Sequence, residues 1–123
     1  MSRILVVDDS EPNRDMLARH LKREGYEALL AADGAEAIAV AQTGRPDLIL
    51  MDISLPGMDG WELSRRLKSD DRTRHIPLIA VTAHATENDR ATAIEAGCDD
   101  FETKPIDFAS LFAKIRTRLR VQT

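Results

Sequence analysis

The chain has 123 residues, which suits one compact domain and leaves little room for a second. A formal net charge of −4 gives no global basic field of the kind that binds nucleic acid. One cysteine, Cys98, excludes an internal disulfide and a cysteine-based zinc site. No apolar run approaches the roughly 20 residues of a membrane span, and none resembles a secretory signal. We therefore expect a cytoplasmic protein without membrane insertion or a nucleic-acid partner.

Five short, mostly continuous apolar runs alternate with helix-like stretches along the chain. Such runs are typical of strands that are buried on both faces of a parallel sheet. The predicted strands are Ile4–Val7, Ala28–Ala31, Leu48–Met51, Leu78–Val81 and the weaker Asp100–Thr103.

The intervening segments carry the start and stop signals of helices. Ser10 is a candidate N-cap of the first helix, Pro12 suits its first turn, and Gly25 follows its end. The remaining helices are predicted at Ala35–Gln42, from about Gly60, at Glu87–Ala96, and from Phe108 to about Val121. Strands that alternate with helices predict right-handed βαβ units. The expected fold is α/β, with a doubly wound five-stranded parallel sheet, helices on both faces, and one domain over residues 1–123.

Polar side chains stand directly after four of the five predicted strands. Asp8 and Asp9 follow the first, Asp52 the third, Thr82 the fourth and Lys104 the fifth. Each has an ordinary explanation as a helix cap, a turn residue or a solvated charge. Ligands of doubly wound sheets bind at the carboxyl ends of the strands, however, and the joint arrangement favours a site there.

The chemistry of this set indicates a metal and a phosphoryl group. Carboxylates brought close together repel unless a cation compensates, and a donor set of oxygens suits Mg²⁺ or Mn²⁺. Lys104 would be redundant for metal binding alone but would hold an additional anion. Asp52 would then act as a nucleophile and form an acyl phosphate.

The chain resembles the receiver domains of two-component response regulators, the CheY-like family. The matching segments are Ile4–Asp9, Asp47–Gly60, Pro77–Ala83, Gly97–Phe101 and Lys104–Pro105. The resemblance implies a (βα)5 flavodoxin-like fold with the strand order 2-1-3-4-5. It also implies that Asp9 and Asp52 bind Mg²⁺ directly, that Asp8 acts mainly through water, and that the backbone carbonyl of Ser54 is a further ligand.

The resemblance further implies a conformational switch. Thr82 and Lys104 would contact phosphoryl oxygens on Asp52, and Phe101 would move inward as Thr82 shifts. This movement would remodel the surface of the fourth helix, fifth strand and fifth helix, and Lys104–Pro105 would be a cis peptide. The fourth helix has Ile94 as its only large apolar residue, which fits either a movable element or an ordinary exposed helix.

The function implied is that of a stand-alone response regulator. It would accept a phosphoryl group from a sensor histidine kinase or a histidine phosphotransfer protein and would signal by binding a downstream protein. We expect a phosphoacceptor that assists its own phosphorylation and autodephosphorylation, and no output domain. Diffusible effector and phosphorelay carrier both stay open.

Two rival functions are weaker. A phosphatase of the haloacid dehalogenase type needs an Asp where this chain has Ser54, and a receiver-like module that takes no phosphate usually lacks one of the residues present here. The resemblance implies that His84 would flank the phosphoryl group, although a solvated loop histidine is the favoured interpretation. Basic residues on the last helix either complement its dipole or form a docking surface for an acidic partner or a second copy of the chain. These are Lys114, Arg116, Arg118 and Arg120.

Overall fold

Five strands and five helices alternate along the computed structural model, which describes residues 2–55, 57–83 and 86–121. The strands are β1 (Arg3–Val7), β2 (Glu27–Ala31), β3 (Leu48–Asp52), β4 (Leu78–Thr82) and β5 (Asp100–Thr103). The helices are α1 (Glu11–Arg23), α2 (Gly34–Gly44), α3 (Gly60–Ser69), α4 (Glu87–Glu95) and α5 (Phe108–Val121). All ten elements overlap their predicted positions.

The strands form one parallel sheet in the order β2-β1-β3-β4-β5. Val7 is in register with Met51, Asp52 with Val81, and Thr82 with Thr103. The carboxyl ends of the three central strands therefore lie side by side. The predicted fold class and strand order are both confirmed.

Two apolar clusters cover the two faces of the sheet. Residues of β1 alternate between them, with Leu5 and Val7 in one cluster and Ile4 and Val6 in the other. The first cluster includes buried residues of α2 and α3, and the second includes buried residues of α1 and α5. This two-sided burial explains why the strand sequences are continuously apolar.

The start and end of α1 follow the sequence signals. The Ser10 side chain accepts a hydrogen bond from the backbone N–H of Asn13 at 3.3 Å, and Pro12 lies in the first turn. Gly25 follows the helix with φ = 87°, a conformation that favours glycine.

The second helix is longer than the predicted residues 35–42 at both ends. Asp33 caps its N-terminus through its side chain, and Gly44 belongs to the helix instead of following it. A Cβ atom at Gly44 would lie 3.1 Å from Leu29 Cδ1, so this glycine permits close packing against β2. The chain leaves the helix one residue later, at Arg45, with φ = 48°.

The last two helices are anchored to different degrees. Leu111, Phe112 and Ile115 of α5 are buried, which confirms the predicted apolar stripe. Within α4, all of whose residues are described, Ala93 is the buried residue and Ile94 is 75% exposed. The fourth helix therefore depends on little apolar burial, as expected.

Candidate phosphoryl and metal site

Three carboxylates meet at the carboxyl ends of β1 and β3. Asp8 directly follows β1 and Asp52 is the last residue of β3; their exposed fractions are 4% and 6%. Asp9 is exposed beside them. One oxygen from each carboxylate lies within 4.8 Å of the others, so the structure brings together the acidic residues that the sequence singled out.

Burial and repulsion make this cluster electrostatically costly when its carboxylates are all charged. The pKa of Asp8 is raised, mainly because burial removes water from the carboxylate and also because of the charges of Asp52 and Asp9. A hydrogen bond from the Ser10 N–H at 2.9 Å and the charge of Lys104 oppose this rise. A cation bound at the cluster would relieve the same cost.

Both oxygens of Asp52 have donors. The Ser54 backbone N–H donates to Oδ1 at 3.0 Å, and Lys104 Nζ donates to Oδ2 at 3.0 Å. The Lys104 side chain is 33% exposed and contributes to the wall of a cavity beside Asp52. The lysine can therefore hold the carboxylate and an approaching anion at the same edge.

The backbone ties Lys104 to the neighbouring strand. Its N–H donates to the Thr82 carbonyl at 2.8 Å, and Lys104–Pro105 is the cis peptide that the resemblance implied. Thr82 is 5% exposed at the end of β4, next to the end of β3. Phe101 is half-buried on β5, and the prediction for His84 lies outside the described residues.

The donor set fits a hard divalent cation. Asp8, Asp9 and Asp52 supply only carboxylate oxygens, and one of the three has a pKa raised by burial and by its acidic neighbours. Carboxylate oxygens suit Mg²⁺, which binds one or two of them directly and keeps several waters that can bridge to a third. The residues present would therefore hold such an ion.

A cavity of about 290 Å³ lies beside Asp52 and was not predicted. Its mainly apolar wall comes from α1, from the strand ends and from the segment between β5 and α5; Met16 and Phe108 are two of its members. Arg14 of α1 also reaches the site, with Nη1 donating to the Asp8 carbonyl at 2.7 Å. Neither Met16 nor Arg14 was among the predicted site residues, and no local sequence signal distinguishes them.

The basic residues of α5 have a role that neither sequence interpretation anticipated. Lys114 Nζ donates to the Glu102 carboxylate at 2.8 Å and to the Phe101 carbonyl at 2.6 Å. Arg118 donates to the Asp99 carbonyl and lies 3.5 Å from the Asp100 carboxylate. Two of the four cations therefore bind β5 and the residue before it.

None of the described helices combines the length and the apolar character that crossing a bilayer requires.

Comparison with known proteins agrees with this geometry. Residues 4–116 match the family model of the response regulator receiver domain. Response regulator PleD of Caulobacter vibrioides is 48% identical over 97% of the chain, which spans 26% of the length of PleD. The polar-differentiation response regulator DivK of Brucella anthropi is 40% identical over 94% of both proteins.

Among solved structures, the receiver domain of the sensor histidine kinase PA1611 from Pseudomonas aeruginosa superposes with a TM-score of 0.88. It is 35% identical, and the match covers 96% of this chain and 97% of that domain. That structure is described with a magnesium ion coordinated in the active-site cleft. The family model, the relatives and the fold agree, and the chain belongs to the response regulator receiver domain family of two-component signalling proteins.

Proposed function

We propose that this chain is a phosphorylation switch in which Asp52 accepts a phosphoryl group from a phosphohistidine of a partner protein. The observation that carries the proposal is the ammonium of Lys104, 3.0 Å from Asp52 Oδ2, at a carboxylate that already lies against Asp8 and Asp9. A solvent-accessible lysine beside a buried nucleophilic carboxylate supplies both the reacting group and a charge for the incoming anion.

In the proposed transfer, a carboxylate oxygen of Asp52 forms a bond to phosphorus while the P–N bond of the donor phosphohistidine breaks. The electron pair of that bond stays with the departing imidazole, so the products are an aspartyl phosphate and a free histidine. The Ser54 N–H holds Oδ1 and so restricts rotation of the carboxylate. Little covalent work is required of the protein beyond alignment and charge stabilisation.

Asp8, Asp9 and Asp52 would hold Mg²⁺, and the backbone carbonyl of Ser54 is the further ligand that the family resemblance implies. When bound, the ion supplies positive charge that offsets the carboxylates and polarises the phosphoryl oxygens. Lys104 contributes the other positive charge, through its hydrogen bond to Asp52 Oδ2. The raised pKa of Asp8 supports this assignment, because a cation would favour its ionised form.

The signal would leave the site through Thr82 and Phe101. Thr82 is buried one residue beyond Val81, the position that is paired with Asp52, and this proximity supports a contact between Thr82 and a phosphoryl group on Asp52. A shift of Thr82 toward the phosphoryl oxygens would open space for Phe101, and α4, β5 and α5 would present a changed surface to a downstream protein. The weak anchoring of α4 supports this, since few apolar contacts would be lost when it moves.

The donor is proposed to be a sensor histidine kinase or a histidine phosphotransfer protein. A phosphohistidine on either would have to approach Asp52 past α1 and the segment between β5 and α5, where the cavity lies.

We also propose that a second copy of the chain can dock on the surface formed by α4, β5 and α5. Arg116 and Ile94 are exposed on that surface and are available for contact.

Intact-protein mass spectrometry after incubation with acetyl phosphate tests the proposal. We expect one phosphoryl adduct on the wild type that requires Mg²⁺ and is absent from Asp52→Asn. Asp71→Asn is the matched control, because Asp71 is 86% exposed and pairs with Arg74 away from the site. Asp71→Asn should be phosphorylated like the wild type.

Equal labelling of Asp52→Asn and wild type would overturn the assignment of Asp52. An adduct that forms at the same rate in EDTA would overturn the metal assignment while leaving the nucleophile intact. Loss of the adduct in Asp71→Asn would show that the assay responds to any lost carboxylate.

A further inference from the structure

Phe101 is held from two sides by cations on the two helices that flank β5. The guanidinium of Arg90, on α4, lies over the ring with its central carbon 5.7 Å from the ring centroid. The ammonium of Lys114, on α5, donates to the carbonyl of the same residue at 2.6 Å. The backbone of Phe101 is thus tied to the well-anchored helix and its ring to the weakly anchored one.

The register of the sheet relates this ring to the proposed phosphoryl site. Ala80 pairs with Phe101, and Thr82 pairs with Thr103. Side chains two residues apart in a strand share a face, and paired residues of neighbouring strands point to the same side. Phe101 and Thr82 therefore project on the same side of the sheet, from neighbouring strands and two residue positions apart along the strand direction.

Arg90 can respond to events at Thr82 because of where α4 begins. The helix starts at Glu87, five positions after Thr82, and its N-terminus is capped by a reciprocal pair of bonds between Thr86 and Asp89. Arg90 is in the first turn of this capped unit and is exposed. Because these bonds tie Thr86 to Asp89, a displacement of Thr86 would move the first turn of α4 and carry the guanidinium with it.

We infer that Arg90 is a positioning residue that holds Phe101 in its outward, half-exposed orientation through a cation–π contact, and so opposes switching until the site is phosphorylated. The inference rests on the proposed function, in which Phe101 moves inward. An inward ring leaves the position below the guanidinium, so the contact exists in one state of the switch and not in the other. A contact made in only one state biases the equilibrium toward that state.

The size of the bias follows from the strength of such contacts at exposed sites. Removing the cation should raise the population of the inward state by about two- to fivefold. Because linkage is reciprocal, the same change should tighten binding of a phosphoryl analogue by about the same factor.

Three variants separate the charge from the packing of the side chain. Arg90→Met removes the cation and keeps an aliphatic chain over the ring, whereas Arg90→Lys keeps a cation. Arg19→Met, on α1, is the matched control because Arg19 is also an exposed helical arginine. The exposed location of Arg90 means that none of these changes removes a buried group.

Fluorine NMR on protein labelled with 4-fluorophenylalanine gives a direct readout. The chain has three phenylalanines, Phe101, Phe108 and Phe112, so three resonances can be assigned by substituting each in turn. The resonance of Phe101 is compared in the free protein and in protein saturated with beryllofluoride and Mg²⁺. Titration with beryllofluoride gives the affinity of each variant for the phosphoryl analogue.

We expect the free-state resonance of Phe101 in Arg90→Met to move toward its saturated position, with two- to fivefold tighter binding of beryllofluoride. Arg90→Lys should stay near the wild type, and Arg19→Met should match it. Phe108 and Phe112 should not move in the free state of any variant.

Two results would overturn the inference without touching the proposed function. These are an Arg90→Met protein whose Phe101 resonance and affinity equal those of the wild type, and an Arg90→Lys protein that behaves like Arg90→Met. If Phe101 of the wild type fails to move on saturation although Asp52 is phosphorylated by acetyl phosphate, the switching role of Phe101 is wrong and the inference falls with it.

Discussion

The two helices on either side of β5 attach to the protein by different means. The fifth helix buries Leu111, Phe112 and Ile115 and adds a bond network from Lys114 to β5. The fourth buries Ala93, exposes Ile94, and is held at its first turn by a capping box. β5 therefore lies between a strongly anchored helix and a weakly anchored one, so a change at the proposed phosphoryl site could alter α4 without loss of the fold.

The largest expected effect comes from weakening the apolar packing of α5 against the sheet. Leu111→Ala removes a side chain with no exposed surface and should lower the free energy of unfolding by about 2–5 kcal/mol, because it creates a cavity in the cluster between α5 and the sheet. Urea unfolding followed by circular dichroism measures this. A loss below about 1 kcal/mol would mean that α5 is no better anchored than α4.

Removing the ion pair between Lys114 and Glu102 should lower the free energy of unfolding by a smaller amount. Lys114→Met leaves the Glu102 carboxylate, which is 5% exposed, without its ammonium partner and removes the donor to the Phe101 carbonyl. We expect a loss of about 1–3 kcal/mol, reduced from the value for a fully buried pair because the lysine side chain is 30% exposed. Adding Glu102→Gln should recover part of the loss in urea unfolding. A double variant no more stable than Lys114→Met would argue against the ion pair.

The reactivity of Cys98, the single cysteine, reports on the burial of the segment that follows α4. Cys98 follows α4, lies 3.4 Å from Ser64 Oγ, and has a pKa raised chiefly by burial. Its thiolate fraction near neutral pH is below that of an ordinary thiol, so its reaction with a disulfide reagent should be slower than that of free cysteine. The rate should keep rising with pH through and beyond the usual thiol range. A plateau below pH 9 would contradict the raised pKa.

The smallest expected effect is on α4 itself. Ile94→Ala should change the free energy of unfolding by no more than about 0.5 kcal/mol, because the side chain is 75% exposed. Urea unfolding of this variant and of Leu111→Ala in the same experiment compares the anchoring of α4 with that of α5 directly. A loss of 2 kcal/mol or more would show that Ile94 is buried in solution and would remove the contrast.

Local sequence signals predicted the fold well, because its causes are local. Continuous apolar runs reflect two-sided burial of the strands, and Ser10 caps α1 through a bond to a residue three positions away. The end of α2 was misplaced because Gly44 suggested a stop, whereas its role is close packing against Leu29 of β2. That contact joins two elements, and no local pattern contains it.

The candidate site shows the same division. Its carboxylates and Lys104 could be located because the end of a strand is visible in sequence and parallel strands end at one edge. The contacts of Lys114 and Arg90 could not be predicted from the sequence. Their partners, Glu102 and Phe101, belong to a short strand whose neighbours are set by the packing of α4 and α5. The roles of the site residues themselves stay predictions that phosphorylation assays can test.

The bond from Lys114 to the Phe101 carbonyl also concerns how copies of this chain meet in concentrated solution. β5 is a four-residue strand at one edge of the sheet, and free edges offer backbone groups on which a strand from another molecule can pair. The ammonium group of Lys114, from α5, already donates to the carbonyl of Phe101 in this strand. Pairing of two sheets through this edge would have to displace that amine and expose Glu102, so we expect the lysine that steadies β5 to disfavour aggregation by strand addition as well.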